Sequence, residues 1–349
     1  MGTIWFWLVA IMIAVYVLLD GFDLGAGAIH LFVAKTDEER RQVLASIGPV
    51  WDGNEVWLIA AGGTLYFAFP ALYASAFSGF YLPLMIVLWL LILRGASIEF
   101  RNHIKSAVWD PLWDFLFCAS SLLLAVFFGA ALGNVVRGVP LDSSGYFFEP
   151  LWTNFRLGDE TGILDWYTIL VGLLALLALM MHGALWVQKK TSGEVHVRAG
   201  KLASHAWWGV VALTALVTAF TFRIQPQIKE NLANRPWGFV FPLLAVAGLA
   251  GVLFELRHHD ERKAFFASCA YLTGMLTSVV FGVYPMVLPA RNPVHSLTVA
   301  SAKAGDYGLK IGLAWWLIGI MLAAGYSTYL YRSFAGKVVV DKDSHGYGD

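Results

Sequence analysis

The sequence predicts an all-α integral membrane protein, with about nine transmembrane helices arranged as two four-helix bundles plus one peripheral helix. Three observations predict it. Apolar residues make up 58% of the 349 and charged residues only 14%, where a soluble domain carries about a quarter charged residues. So much apolar sequence exceeds what one soluble core of this size can hide, and the bilayer must act as its solvent. Runs of roughly twenty mostly apolar residues, long enough to span, recur along the chain. Aromatic residues gather near the ends of these runs, among them Trp5, Trp7, Trp113, Trp166, Trp237, Tyr329 and Tyr331, where their amphipathic rings suit the headgroup level.

Taken in order, the runs lie at about 4–33, 51–70, 74–95, 113–135, 163–187, 205–224, 237–256, 264–288 and 308–331. The first opens on Met1-Gly2-Thr3, without the basic residues that precede the apolar stretch of a signal peptide, and reads as a retained helix. A tight turn near Pro70 separates the second run from the third. The longest loop, 136–162, divides runs one to four from runs five to eight, and the ninth stands apart. With no long linker, low-complexity tract or internal repeat, residues 1–349 read as a single polytopic membrane domain.

Charge then orients the chain. Of the 24 Lys and Arg, sixteen fall in one set of loops and the C-terminal tail, Lys105 and Lys342 among them, and eight in the other set. The richer side is expected to be cytoplasmic. That places the N-terminus outside, the C-terminus inside, and the 136–162 and 289–307 loops outside. A net charge of zero offers no argument for a nucleic-acid partner. Cys118 and Cys269 lie within apolar runs and read as small fillers rather than disulfide or zinc ligands.

Ionisable residues inside a membrane are costly and by default functional candidates. The first run holds Asp20-Gly21-Phe22-Asp23-Leu24-Gly25. A spacing of three puts both carboxylates on one helix face, past the midplane when counted inward from Trp5 at about 1.5 Å per residue. Small residues there let a neighbouring backbone approach. The pair reads either as a proton-holding site or as buried acids satisfied by backbone or arginine. The second run begins Trp51-Asp52-Gly53-Asn54-Glu55-Val56-Trp57, with Asp52 and Glu55 at a depth like that of Asp23. Asp-x-x-Glu ahead of an apolar run is also a capping box, so Asp52 reads as helix cap, as first stop for a cytoplasmic proton, or as both. Trp57 alone reads as packing. The third run ends Arg94-Gly-Ala-Ser-Ile-Glu99-Phe-Arg101, where Glu99 is expected to pair locally with Arg94 or Arg101 in an interfacial cluster.

Haem needs axial ligands within the span. Of the nine histidines, His196, His258, His259 and His345 lie in charged loops or the tail, and His103 beside basic residues. His30, His182 and His205 sit near cytoplasmic helix ends, none with a matching histidine at equal depth. No haem is expected in this chain, and no metal site has ligand spacing. His182 is the best-placed exception, read as a hydrogen-bonding partner for a neighbouring helix. No dinucleotide fingerprint, phosphate loop or nucleophile elbow is present.

The quoted segments together resemble subunit II of the cytochrome bd quinol oxidases. Asp20 to Gly25 is similar to that family's first-helix motif and Trp51 to Trp57 to its second-helix motif. Phe77 to Leu82, Arg94 to Arg101 and Thr191-Ser-Gly-Glu-Val-His196 also match. The resemblance is strongest over 15–105, recurs near 182–200, and fits the cyanide-insensitive branch at least as well as the better-known one. It implies a heterodimer with a subunit I that holds the haems, b and d or only b types, and the quinol-oxidising loop. It implies no catalytic residue in this chain, and leaves a structural quinone and small single-helix subunits open. The complex so implied sits in the bacterial inner membrane, oxidises quinol, reduces O₂ to water and draws protons from the cytoplasm. Asp52 then becomes the leading residue of the proton route, Asp20, Asp23 and Glu55 its neighbours, and Trp57 a residue of the oxygen path. Two other readings stand beside this one: a proton-coupled secondary transporter and a purely structural membrane subunit.

Overall fold

Where no water reaches the backbone, its polar groups must bond within the segment, and helices result. The computed structural model describes residues 1–101, 103–104, 106–158 and 160–339; Lys105, Lys342 and His345 lie outside the described residues. The chain opens on α1 (Gly2–Val33), then a surface helix, α2 (Asp37–Ile47), started by a capping box between Thr36 and Glu39. Next come α3 (Trp51–Ala68), α4 (Pro70–Gly79), α5 (Tyr81–Phe100) and α6 (Trp109–Arg137). After the long loop follow α7 (Trp166–Lys190), α8 (Gly193–Ile224), the short α9 (Gln227–Asn234), α10 (Val240–His258) and α11 (Glu261–Val283). A two-stranded antiparallel pair, β1 (Met286–Leu288) with β2 (Leu297–Thr298), leads through α12 (Val299–Ala302) to α13 (Asp306–Ser333).

Among the described residues, eight helices are long and apolar enough to cross a membrane: α1, α5, α6, α7, α8, α10 with the turn before it, α11 and α13. The remaining run of the sequence count is α3, only 18 residues long, with Asp52, Asn54 and Glu55 in its first two turns. The spans fall into one set of α1, α3, α5 and α6 and another of α7, α8, α10 and α11, with α13 lying outside against α1 and α3. Leu309 is the only buried residue of α13, and Trp315, Leu322 and Tyr329 stand exposed.

The third predicted run, 74–95, differs. It is two helices, α4 and α5, broken at Phe80. Pro83, in the first turn of α5, cannot donate to the Gly79 carbonyl and so interrupts a continuous helix, and the long loop packs into the break. The Phe147 ring is buried in the space that a Cβ on Gly79 would fill, and meets Phe80 edge-on at 5.0 Å. Ser75 fixes the same loop by donating to the Gly145 carbonyl at 2.5 Å. Pro70 opens α4 at its first position, where a missing N–H costs nothing.

The two sets meet where α1 and α6 both pack on α7. A Cβ on Gly25 would overlap the Leu179 carbonyl, and one on Gly183 would overlap the Gly25 backbone. Two glycines thus bring bare backbones into contact, the arrangement that close helix packing in lipid favours. Gly183→Val is expected to cost about 3 kcal/mol or more through overpacking, read as a fall in the thermal midpoint of the purified complex. An unchanged midpoint would show that the crossing tolerates bulk.

At the end holding the chain's start, Trp5, Phe69, Leu72, Val139, Phe147, Leu288 and Leu309 form one apolar cluster. Beside it, Arg137 donates to Glu149 at 2.8 Å and pairs with Asp165, while Arg291 pairs with the same Glu149. These contacts join the end of α6, the long loop, the cap of α7 and the loop after β1. Burial pushes the Glu149 carboxyl up against the pull of the two guanidinium groups.

Candidate functional site

Asp20 and Asp23 both face inward from α1 and are fully buried. They belong to two different networks. The Nη1 of Arg94, on α5, donates to both Asp20 oxygens, at 2.7 and 2.8 Å. Its Nη2 donates to Glu55 Oε2 at 3.0 Å. The guanidinium itself is fully buried, and Glu55 is 20% exposed. Trp51 lies 5.9 Å from the guanidinium carbon, within cation–π range. Three helices therefore converge on one cation, and α1, α3 and α5 are locked at this depth.

Asp23 takes a different partner. Its Oδ2 accepts the Asn54 amide at 2.7 Å. Asn54 Oδ1 in turn accepts the Tyr331 hydroxyl of α13, also at 2.7 Å. Asp23 Oδ1 is buried with no partner among the described residues, and so is the Tyr16 hydroxyl. Asp23 thus ends a chain of hydrogen-bonded side chains and has no guanidinium or ammonium against it. Neither Asn54 nor Tyr331 was singled out from the sequence as a functional residue.

The remaining candidates are placed as follows. Asp52 is exposed on the surface of this chain, one turn before Glu55. The capping-box reading of Asp52 and Glu55 is overturned: Val50 occupies the cap position of α3 with no side-chain bond, and Glu55 is taken by Arg94. Trp57 is buried with Met12, Tyr16 and Ala61. Of the two partners expected for Glu99, Arg94 is ruled out, since it is taken by Asp20 and Glu55 and a separation of five residues turns the two roughly 140° apart on a helix at 3.6 residues per turn. Arg101 bonds Asp114 from Nε at 2.7 Å and Asp37 from Nη2 at 2.6 Å.

Asp114 is the residue that sequence reasoning missed most clearly. Its buried carboxylate accepts from His30 Nε2 at 2.8 Å, Arg40 at 3.0 Å and Arg101, tying α1, α2 and α5 to α6. Arg198 of α8 pairs with Glu39 on α2. Burial pushes the Glu39 carboxyl up, but N–H bonds from Lys35 and Thr36 and the Arg198 guanidinium bring it below its usual range.

His182, the best-placed histidine of the sequence reading, is fully buried. Both ring nitrogens of His182 are engaged, Nδ1 with Ser268 at 2.7 Å and Nε2 with the Leu18 carbonyl at 3.0 Å, and the ring stacks on Phe265. Among the described residues, no three His, Cys, Asp or Glu side chains are grouped to hold a metal ion.

Comparison with known proteins agrees with this architecture. A family model described as cytochrome bd terminal oxidase subunit II matches residues 1–334. A probable cytochrome oxidase subunit 2 of Haemophilus influenzae is 30% identical, over 98% of this chain and 97% of the relative. The cytochrome bd-I ubiquinol oxidase subunit 2 of Escherichia coli K12 is 28% identical over the same shares. The cytochrome bd ubiquinol oxidase subunit 2 of Bacillus subtilis is 30% identical over 88% of each chain. Among solved structures, bd oxidase from Geobacillus thermodenitrificans superposes with a TM-score of 0.72 at 18% identity, covering 95% of this chain and 98% of that chain.

Proposed function

Because the chain belongs to the cytochrome bd terminal oxidase subunit II family, and so works beside a subunit I in an oxidoreductase complex, we propose that it delivers cytoplasmic protons to an oxygen-reducing haem held by that partner. The complex then oxidises quinol and reduces O₂ to water, with the haems and the quinol site on subunit I. In this reading the C-terminus and the Asp52 end of α3 face the cytoplasm, in keeping with the excess of basic residues there.

The observation that carries the reading is the placement of Asp52 and Glu55. They lie three residues apart on one face of α3, Asp52 at the chain's surface and Glu55 one turn deeper and still partly exposed. Neither acid is used to cap the helix. A carboxylate on a lipid-facing surface is costly, whereas one facing a partner subunit has company. Asp52 takes the proton at the inner mouth and Glu55 carries it one turn further along the partner-facing surface. Arg94 supplies fixed compensating charge behind Glu55 and shares it with Asp20. Asp23 has no cation against it, so a proton reaching it breaks no ion pair. Trp57, packed between α1 and α3, lies on the proposed oxygen path.

The test is Asp52→Asn in the assembled complex. O₂ consumption is expected to fall by about a hundredfold, the lower end of what a proton-transfer group contributes, with haem absorbance retained. Full turnover with asparagine at 52 removes Asp52 from the route. Loss of haem together with activity makes it an assembly residue, the outcome that the purely structural reading requires.

A further inference from the structure

The Thr191–His196 segment and the chain beyond α13 have no part in the site described above, yet they meet. Termini emerging from a membrane are poorly ordered unless tied down. This one is tied at two places. Lys190, the last residue of α7 and only 9% exposed, donates from Nζ to the Phe334 carbonyl at 2.6 Å, and its own carbonyl accepts the Val338 N–H at 2.7 Å. Lys337 Nζ lies 3.5 Å from Glu261 Oε2 at the start of α11. The other oxygen of Glu261 is 3.3 Å from His196 Nε2, and His196 Nδ1 bonds the Gln188 carbonyl at 2.8 Å. The first turn of α8 thus presents a histidine to the same carboxylate that holds the chain's end.

A buried ammonium is costly unless its donors are used, and the partner of Lys190 is a carbonyl of this terminal segment. Between the segment, Ala45, Pro49 and Lys190 lies an open pocket of about 270 Å³, room for several waters. Two residues before the segment's neighbour Ser333 comes Tyr331, whose hydroxyl bonds the Asn54 that bonds Asp23. The Tyr331 ring also meets Phe22 and Trp186 edge-on, at 6.4 and 6.1 Å.

We propose that Phe334–Val339 is a strap that roofs a watered vestibule at the inner end of the chain and holds Tyr331 on Asn54, so setting the position of the Asp23 carboxyl. Lys190 and the His196–Glu261 pair are its positioning residues. The proposal deepens the proton-route reading and rests on it.

The experiment uses the assembled complex, with amide hydrogen exchange over the last two turns of α13 read alongside turnover. Lys190→Met is expected to raise exchange there about tenfold and to lower turnover several-fold, while Lys190→Arg retains both. Glu261→Gln, a milder change at the exposed tie, is expected to raise exchange by a smaller factor. Tyr331→Phe is expected to lower turnover, and Lys190→Met combined with it to lower turnover no further, because changes acting through one contact do not add. Unchanged exchange in both Lys190→Met and Glu261→Gln overturns the strap. Multiplying losses of turnover in the double variant overturn its action through Tyr331. Raised exchange with full turnover overturns the link to Asp23. Exchange does not depend on the proton route, whereas Asp52→Asn reads that route alone, so failure of the strap and failure of the route are told apart.

Discussion

Replacing Arg94 with leucine is expected to remove the assembled oxidase from the membrane rather than merely slow it. The guanidinium is fully buried and compensates two carboxylates, Asp20 on α1 and Glu55 on α3. Deleting one partner of a buried ion pair costs about 3–5 kcal/mol, because the remaining charge has neither water nor counter-ion. Arg94→Lys keeps the charge but replaces a planar fork with a point donor. It is expected to assemble, with a lowered thermal midpoint. Haem absorbance per unit of membrane protein reads assembly directly. Normal yield of the leucine variant would show that Asp20 and Glu55 are held by something other than this cation. Combining Arg94→Leu with Asp20→Asn and Glu55→Gln removes the stranded charges and is expected to restore part of the yield, since a neutral replacement of a whole buried network is tolerated far better than a broken one.

The second large effect is expected at Asp114. Asp114→Ala leaves Arg101 and Arg40 without the carboxylate that gathers them and leaves His30 Nε2 unpartnered. The expected loss is again about 3–5 kcal/mol, but the damage is placed differently. The inner ends of α1, α2, α5 and α6 loosen together, so limited proteolysis is expected to cut near residues 34–36 and after α5 before the rest of the chain yields. Cleavage at the wild-type rate would mean that the apolar contacts of these helices suffice without the ionic hub.

What could be read from the residues alone follows from how conspicuous each signal is. Asp20, Asp23, Asp52 and Glu55 stand out because an acid within an apolar run has few structural excuses. Their division of labour is invisible there. Nothing in the spacing of Asp20 and Asp23 tells that one meets Arg94 and the other Asn54, since both partners come from helices whose rotation is set by packing. Tyr331 lies 277 positions from Asn54, and no local pattern links them. Asp114 sits one turn inside a helix start, where an acid ordinarily reads as a solvated first-turn residue. The break at Phe80 has a local sign in Pro83, which cannot donate to the Gly79 carbonyl, but its packing partner Phe147 comes from a loop more than sixty residues away.

The contact of Gly25 with Gly183 also bears on how the molecule can move. Backbone laid on backbone leaves no lubricating layer of side chains, so neither half can slide or tilt on the other without tearing α1 from α7. A carrier that exposes its cargo to each side of the bilayer in turn needs a hinge at this place, and here there is a weld. Such a crossing suits a stator, and under the function proposed above the protons would move while the frame keeps still.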